Sequence, residues 1–151
     1  MNKKEAAALA QKFSGDCIAY RVRVLNRVIT HLYDSALKPF GITVNQTTML
    51  AMLTLVGKAR PSEIGRALHM EKSTISRNLE RMRKKGWVEV AVGAGGPARV
   101  VTVTPAGRKL LAALYPEWEK AQAAAARLLG DQGVAAVQTL HAAVRQARRP
   151  T

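Results

Sequence analysis

The residues best suited to chemistry lie between Lys72 and Gly86, in the run Lys72-Ser73-Thr74-Ile75-Ser76-Arg77-Asn78-Leu79-Glu80-Arg81-Met82-Arg83-Lys84-Lys85-Gly86. At helical spacing Ile75, Leu79 and Met82 fall on one face, which leaves Ser73, Thr74, Ser76, Arg77, Glu80, Arg81 and Lys84 outside. Short hydroxyls permit a close approach to base edges, and an arginine fork matches guanine or phosphate. The chemistry on offer is therefore hydrogen bonding to a nucleic acid rather than bond making. Nine Lys or Arg stand against three Glu between Lys58 and Lys85, an excess that a polyanion would satisfy. A merely solvated helix could carry the same charges. The helix, tight turn and helix of Glu63–Gly86, followed by a hairpin, favour the nucleic-acid reading.

Other chemical signals lack their companions. Ser35-Ala36-Leu37-Lys38 spells a serine–lysine acyl-enzyme motif without its partner motifs. Gly93-Ala94-Gly95-Gly96-Pro97-Ala98 fits a relaxed dinucleotide fingerprint, yet a strand follows where a helix is required, and Pro97 removes an amide donor. His31, His69 and His141 are scattered without ligand spacing, so no metal, no cofactor and no catalytic constellation is expected. Asn45-Gln46-Thr47 is a glycosylation sequon that nothing in the chain sends outside. Cys17 stays open between two readings. Placed in the first turn of a helix with Arg21 one turn on, it could be a redox-sensing thiolate. Packed among apolar residues, it is a small hydrophobe.

These residues need a scaffold, and 151 residues that are 48% hydrophobic but only 5% aromatic supply one built on Leu, Val, Ile, Met and Ala. Ile18, Val22, Leu25, Ile29, Leu32 and Ala36 predict a long first helix, capped by Ser14 or Asp16 and ended by Pro39 and Gly41. A second runs from Asn45 to Gly57, and a third, short one opens at Pro61-Ser62. The fourth starts at Glu71 or Lys72 and stops at Gly86 in a left-handed cap. Val88, Val90 and Val92 alternate with Glu89 and Ala91, as Arg99, Val101 and Val103 do with Val100 and Thr102. They predict a two-stranded hairpin leaning on Trp87. Thr104-Pro105 opens a fifth helix through Leu110, Leu114 and Trp118, with a kink at Pro116. Gly130 to Gly133 turns the chain into a sixth helix from Val134 to Gln146.

The formal charge of +14 excludes few partners but favours a polyanion. Lys3 and Lys4 start the chain like a signal peptide, but Glu5, Gln11 and Lys12 interrupt any apolar run. Met49 to Val56 is too short to span a bilayer, and one cysteine allows no internal disulfide. A cytoplasmic protein is expected, with no membrane partner.

Five segments in register resemble the multiple antibiotic resistance regulator (MarR) family of bacterial winged-helix repressors. They are Gly41-Ile42-Thr43 with Gln46, Pro61 to Leu68, Lys72 to Leu79, Lys85-Gly86-Trp87-Val88-Glu89, and Val103-Thr104-Pro105-Ala106-Gly107-Arg108. The resemblance implies a mainly α fold with a small β-hairpin: a winged helix-turn-helix whose flanking helices form a dimerisation region. Residues 41–104 would be the DNA-binding lobe, and 1–40 and 105–151 the dimerisation helices, intertwined into one domain. The implied function is a homodimeric transcriptional regulator, a repressor, on a palindromic operator in double-stranded DNA. Ser62, Lys72, Ser73, Thr74, Ser76 and Arg77 are the candidate base and phosphate contacts, Arg81, Lys84 and Lys85 phosphate neutralisers, and Arg99 the minor-groove reader. The wing departs from the family pattern, since Gly93 to Ala98 carries no acidic partner for Arg99. The resemblance further implies a pocket for a small aromatic or organic-acid effector, with Arg21, His31, Tyr33, Met49 and Met52 as candidate lining residues. Core packing is the alternative role for the methionines. Peroxide-sensing members use a cysteine near the start of this helix with tyrosines nearby, the place of Cys17 and Tyr20. A sequence-neutral architectural protein that coats DNA is the rival function, and a small enzyme a distant third.

Overall fold

The computed structural model describes residues 1–93 and 99–147. Helix α1 (Lys3–Asp16) precedes every helix that the apolar spacing predicted. Asn2 Oδ1 accepts the Glu5 N–H at 2.9 Å while Glu5 Oε2 accepts the Asn2 N–H at 2.8 Å, a reciprocal capping box. No α1 residue is buried, which is why the core pattern did not reveal it. The chain then breaks at Cys17 (φ −70°, ψ 110°), so this residue is the N-cap of α2 (Ile18–Leu37) rather than part of a first turn. Neither expected cap serves: Ser14 Oγ donates to the Gln11 carbonyl at 3.1 Å, and α2 has no side-chain cap.

A 3-10 turn (Lys38–Phe40) and Gly41, at φ +66°, end α2 and lead into α3 (Val44–Val56). Thr43 and Gln46 form its capping box, and the buried Thr47 hydroxyl donates to the Thr43 carbonyl at 3.0 Å. Met49, Leu50 and Leu53 are fully buried, so α3 is the central rod of the molecule. Around it lie β1 (Lys58–Ala59), α4 (Pro61–Leu68), α5 (Lys72–Lys84), β2 (Val88–Val92) and β3 (Arg99–Val103).

The expected hairpin is there, with Val88 opposite Val103 and Val90 opposite Val101. A third strand was not foreseen. Lys58 and Ala59 pair antiparallel with Thr102 and Val101, which gives the order β1-β3-β2. Two residues are too few for an alternation to register in sequence. Val88, Val101 and Val103 turn inward onto Leu37, Ile42, Leu50, Ile64, Ile75 and Met82, the main core. Of the Gly93 to Ala98 loop, residues 94–98 lie outside the described residues, and with them the fingerprint and the wing tip.

Helix α6 (Pro105–Ala147) begins where Thr104 Oγ1 accepts the Gly107 N–H at 3.0 Å. Gly107 is there because a Cβ would sit 2.3 Å from the Trp87 carbonyl oxygen, so a side chain would push α6 off the end of α5. Pro116 lies within the helix, and the non-helical backbone is at Gly130 (φ 67°, ψ 169°) instead. The predicted Gly130 to Gly133 turn thus narrows to one residue, where glycine alone tolerates the angles. Tyr33, Ala121 and Ala125 make a second, smaller core between α2 and α6, and Trp118 packs against both cores. Outside them Phe13 is 74% and Ile18 78% exposed, with Val22, Leu25, Val28, Leu128, Leu140 and Val144 also open to solvent. Among the described residues no helix is long and apolar enough to cross a membrane.

Candidate nucleic-acid interface

Local rules place α5 well. Glu63 Oε2 accepts the Arg60 N–H at 2.6 Å, which fixes the start of α4, with Pro61 in its first turn. His69 closes α4 in the left-handed region (φ 53°), and the Met70 N–H reaches back to the Gly65 carbonyl at 3.0 Å. The chain is extended at Glu71, whose carbonyl accepts the N–H groups of Thr74 and Ile75, both at 3.0 Å. At the far end Gly86 (φ 72°) lets the Trp87 N–H bond to Met82 and its own N–H to Arg83, the left-handed cap that the sequence predicted.

Ile75, Leu79 and Met82 are buried, which turns the opposite face of α5 outward. A groove of about 1110 Å³ runs along one flank, floored by Ile75, Leu79, Met70 and Val90. Ser62, Lys72, Ser76 and Arg99 line it, as do Arg60, Arg66 and Arg83, which the sequence reading left out. A smaller hollow of about 350 Å³ lies on the other flank, where Arg81, Lys84 and Lys85 face Thr43, Gln46 and Trp87. Lys85 Nζ stands 5.7 Å from the Trp87 ring centroid, within cation–π reach. Ser73 and Arg77 are exposed on the ridge between the two. Thr74 is half-buried: its Oγ1 accepts Arg77 Nη2 at 3.4 Å and its carbonyl accepts Asn78 Nδ2 at 3.0 Å. Nine of the ten candidate contacts thus sort into two flanks and a ridge, and Thr74 is turned to its own helix. Arg66 could have been found one helical turn beyond Ser62.

Not every cation on this face is equally available. Arg83 binds both Glu80 carboxylate oxygens at 3.0 Å, and Lys84 Nζ lies 3.7 Å from one of them. The Arg83 hydrogen bond holds the Glu80 carboxyl below its ordinary pKa, and Glu80 in turn raises that of Arg83. All three side chains remain well exposed.

The five candidate effector residues are not brought together. Arg21 and Tyr33 lie twelve residues apart on α2, about 18 Å along a helix. The Arg21 guanidinium is turned to the Gly15 carbonyl. His31 is exposed, whereas Tyr33 is buried, its hydroxyl donating to Gln122 Oε1 and its pKa raised by burial. Met49 is fully buried in the main core and Met52 packs against it, the core role weighed for both. Neither concavity is lined by any of the five. Cys17 is half-buried.

Residues 40–99 match the MarR family. The M. tuberculosis transcriptional regulator MosR, solved in complex with DNA, is 32% identical, covers 88% of this chain and 99% of its own, and superposes with a TM-score of 0.73. This chain belongs to the MarR family. A second MosR structure agrees at TM-score 0.76 with 32% identity over 89% of this chain and 96% of its own. A mutant MarR from E. coli, solved with operator DNA, shares the fold of this MarR-family chain at TM-score 0.77 and 21% identity, over 87% of this chain and 96% of that one. The HTH-type transcriptional regulator YwoH of Bacillus subtilis (strain 168) is 26% identical over 92 residues, 61% of this chain and 67% of its own. The family match spans α3 to β2, so it takes in both concavities and the ridge between them.

Proposed function

We propose that this MarR-family transcriptional regulator is a cytoplasmic repressor that binds a palindromic operator as a homodimer, with α5 in the major groove. The observation that carries the reading is the ridge of Ser73 and Arg77, exposed between two concavities lined by Arg and Lys. Hydroxyl and guanidinium on the ridge suit base edges, while Lys72, Arg81, Lys84 and Lys85 on the flanks suit the phosphates either side. Ser62, Thr74 and Ser76 support the fit at the start of the helices, and the exposed Arg99 at the start of β3 suits the minor groove. Relatives solved with DNA support the same partner. Residues 41–104 form the reading lobe; 1–40 and 105–151 pair with a second copy, which covers Ile18, Leu25, Leu140 and Val144. A two-fold protein implies a two-fold site.

Release of DNA by a small organic-acid effector completes the proposal, with oxidation of Cys17 as the lesser route. Two experiments test it. Sequencing the DNA captured from random duplexes by the purified protein is expected to return an inverted repeat. Even enrichment of all sequences would establish the architectural alternative instead. Operator titration of the wild type and Cys17→Ser, each with and without dilute peroxide, is expected to give equal responses, because the Arg21 guanidinium engages Gly15. A peroxide response lost only in Cys17→Ser would establish the redox route.

A further inference from the structure

Tyr33 and Asp34 are neighbours on α2, yet they tie it to two different elements. The Tyr33 hydroxyl donates to Gln122 on α6, and its ring lies 6.5 Å from that of Trp118. The half-buried Asp34 Oδ1 accepts the Val44 N–H at 2.7 Å, in the first turn of α3. A first-turn N–H has no partner within its own helix, and a carboxylate there also meets the positive end of the helix dipole. Two further N–H groups of this terminus are served from within: Thr43 Oγ1 accepts the Gln46 N–H, and the Thr47 N–H reaches the Thr43 carbonyl. Among the described residues Asp34 thus supplies a hydrogen bond that crosses from α2 to the rod of the lobe carrying α5, beside the apolar packing of Leu37. The covalent link beside it turns at Gly41 (φ +66°), in the left-handed region that glycine adopts without strain.

We propose that Asp34 is a positioning residue that sets the angle between the pairing helices and the reading lobe, and hence the separation of the two α5 helices in the dimer. The inference rests on the palindromic dimer proposed above. Asp34 lines neither basic concavity, so its effect on DNA must pass through geometry. Half-sites of such an operator stand about 34 Å apart, and both α5 helices dock together only when their spacing is held to match. Freeing the angle penalises the doubly docked complex and leaves the phosphate attraction of each lobe intact.

The experiment compares three DNAs at fixed salt: the captured operator, the same operator with one base pair inserted at its centre, and a random duplex. Wild type is expected to prefer the native spacing clearly. Asp34→Ala is expected to bind the native operator about tenfold more weakly, an ordinary size for coupling between sites. It should bind the other two DNAs as wild type does, so that discrimination collapses. Asp34→Asn keeps an oxygen acceptor and is expected to restore most of the preference. If Asp34→Ala fails to fold, Asp34→Glu, which displaces the carboxylate by one methylene, is expected to lower the discrimination. Unchanged discrimination in the variant that folds overturns the proposal. So does a parallel loss on all three DNAs, the mark of a purely structural role. A wild type indifferent to spacing overturns the palindromic dimer itself, a separate and visible failure.

Discussion

Arg77 and Glu80 stand three residues apart on the outer face of α5 and pull in opposite directions. Arg77 is exposed on the ridge, with a long contact to Thr74 as its one polar contact among the described residues, so its fork is open to a guanine edge. Arg77→Ala is expected to cost about 1–3 kcal/mol on the operator in a binding titration, while Lys84→Ala should weaken all DNA alike and flatten the salt dependence. Glu80 instead holds Arg83 and Lys84 back. Its depressed pKa means that the ion pairs are intact above the ordinary carboxylate range and are lost only as pH falls through the lowered value. With the Glu80 side chain about half exposed to solvent, the effect on stability is slight, and the visible effect is on charge. Glu80→Gln is expected to bind random duplex more tightly at neutral pH, with a steeper dependence on salt. Acidifying the wild type should bring it toward the variant. Identical salt slopes for the two proteins at neutral pH would contradict this account.

At the scale of elements, the joint between α5 and α6 concentrates the backbone constraints. Thr104 Oγ1 donates to the Gly86 carbonyl at 2.6 Å and accepts the Gly107 N–H at 3.0 Å, so one hydroxyl caps α6 and closes the turn that ends α5. Thr104→Val keeps the shape and removes both bonds, and is expected to lose about 1–2 kcal/mol in urea unfolding, the range for a lost N-cap. Much of this joint was legible in the sequence. Threonine before proline and a glycine after a basic last turn are local signals with local causes. Helix α1 was legible too, in Asn2 and Glu5, but it buries nothing and so carries no apolar face for periodicity to reveal. Strand β1 was not legible, because its two residues are ordered by β3 rather than by their own preference.

For the whole molecule the open apolar surface decides most. Ile18, Val22, Leu25 and Val28 on α2, with Leu128, Leu140 and Val144 on α6, are exposed aliphatics of the kind that a second copy would cover. Light scattering at low micromolar concentration is therefore expected to give twice the 16.4 kDa chain mass, and a clean monomer would remove the homodimer. What the sequence alone determined is whatever rests on near neighbours in the chain: the inward face of α5, the caps at Gly86 and Thr104, the pairing of β2 with β3, and the outward Ser73 and Arg77. Periodicity and capping act over a few residues and survive without the fold. What only the tertiary structure decided is which distant groups meet. It split the basic residues of α5 between two flanks, sent Met49 into the core, put Cys17 at a helix junction and turned Arg21 to Gly15. It also set Asp34 against Val44 across the bend at Gly41. No local preference encodes such meetings, because they depend on how α2, α3 and α6 settle around a shared core.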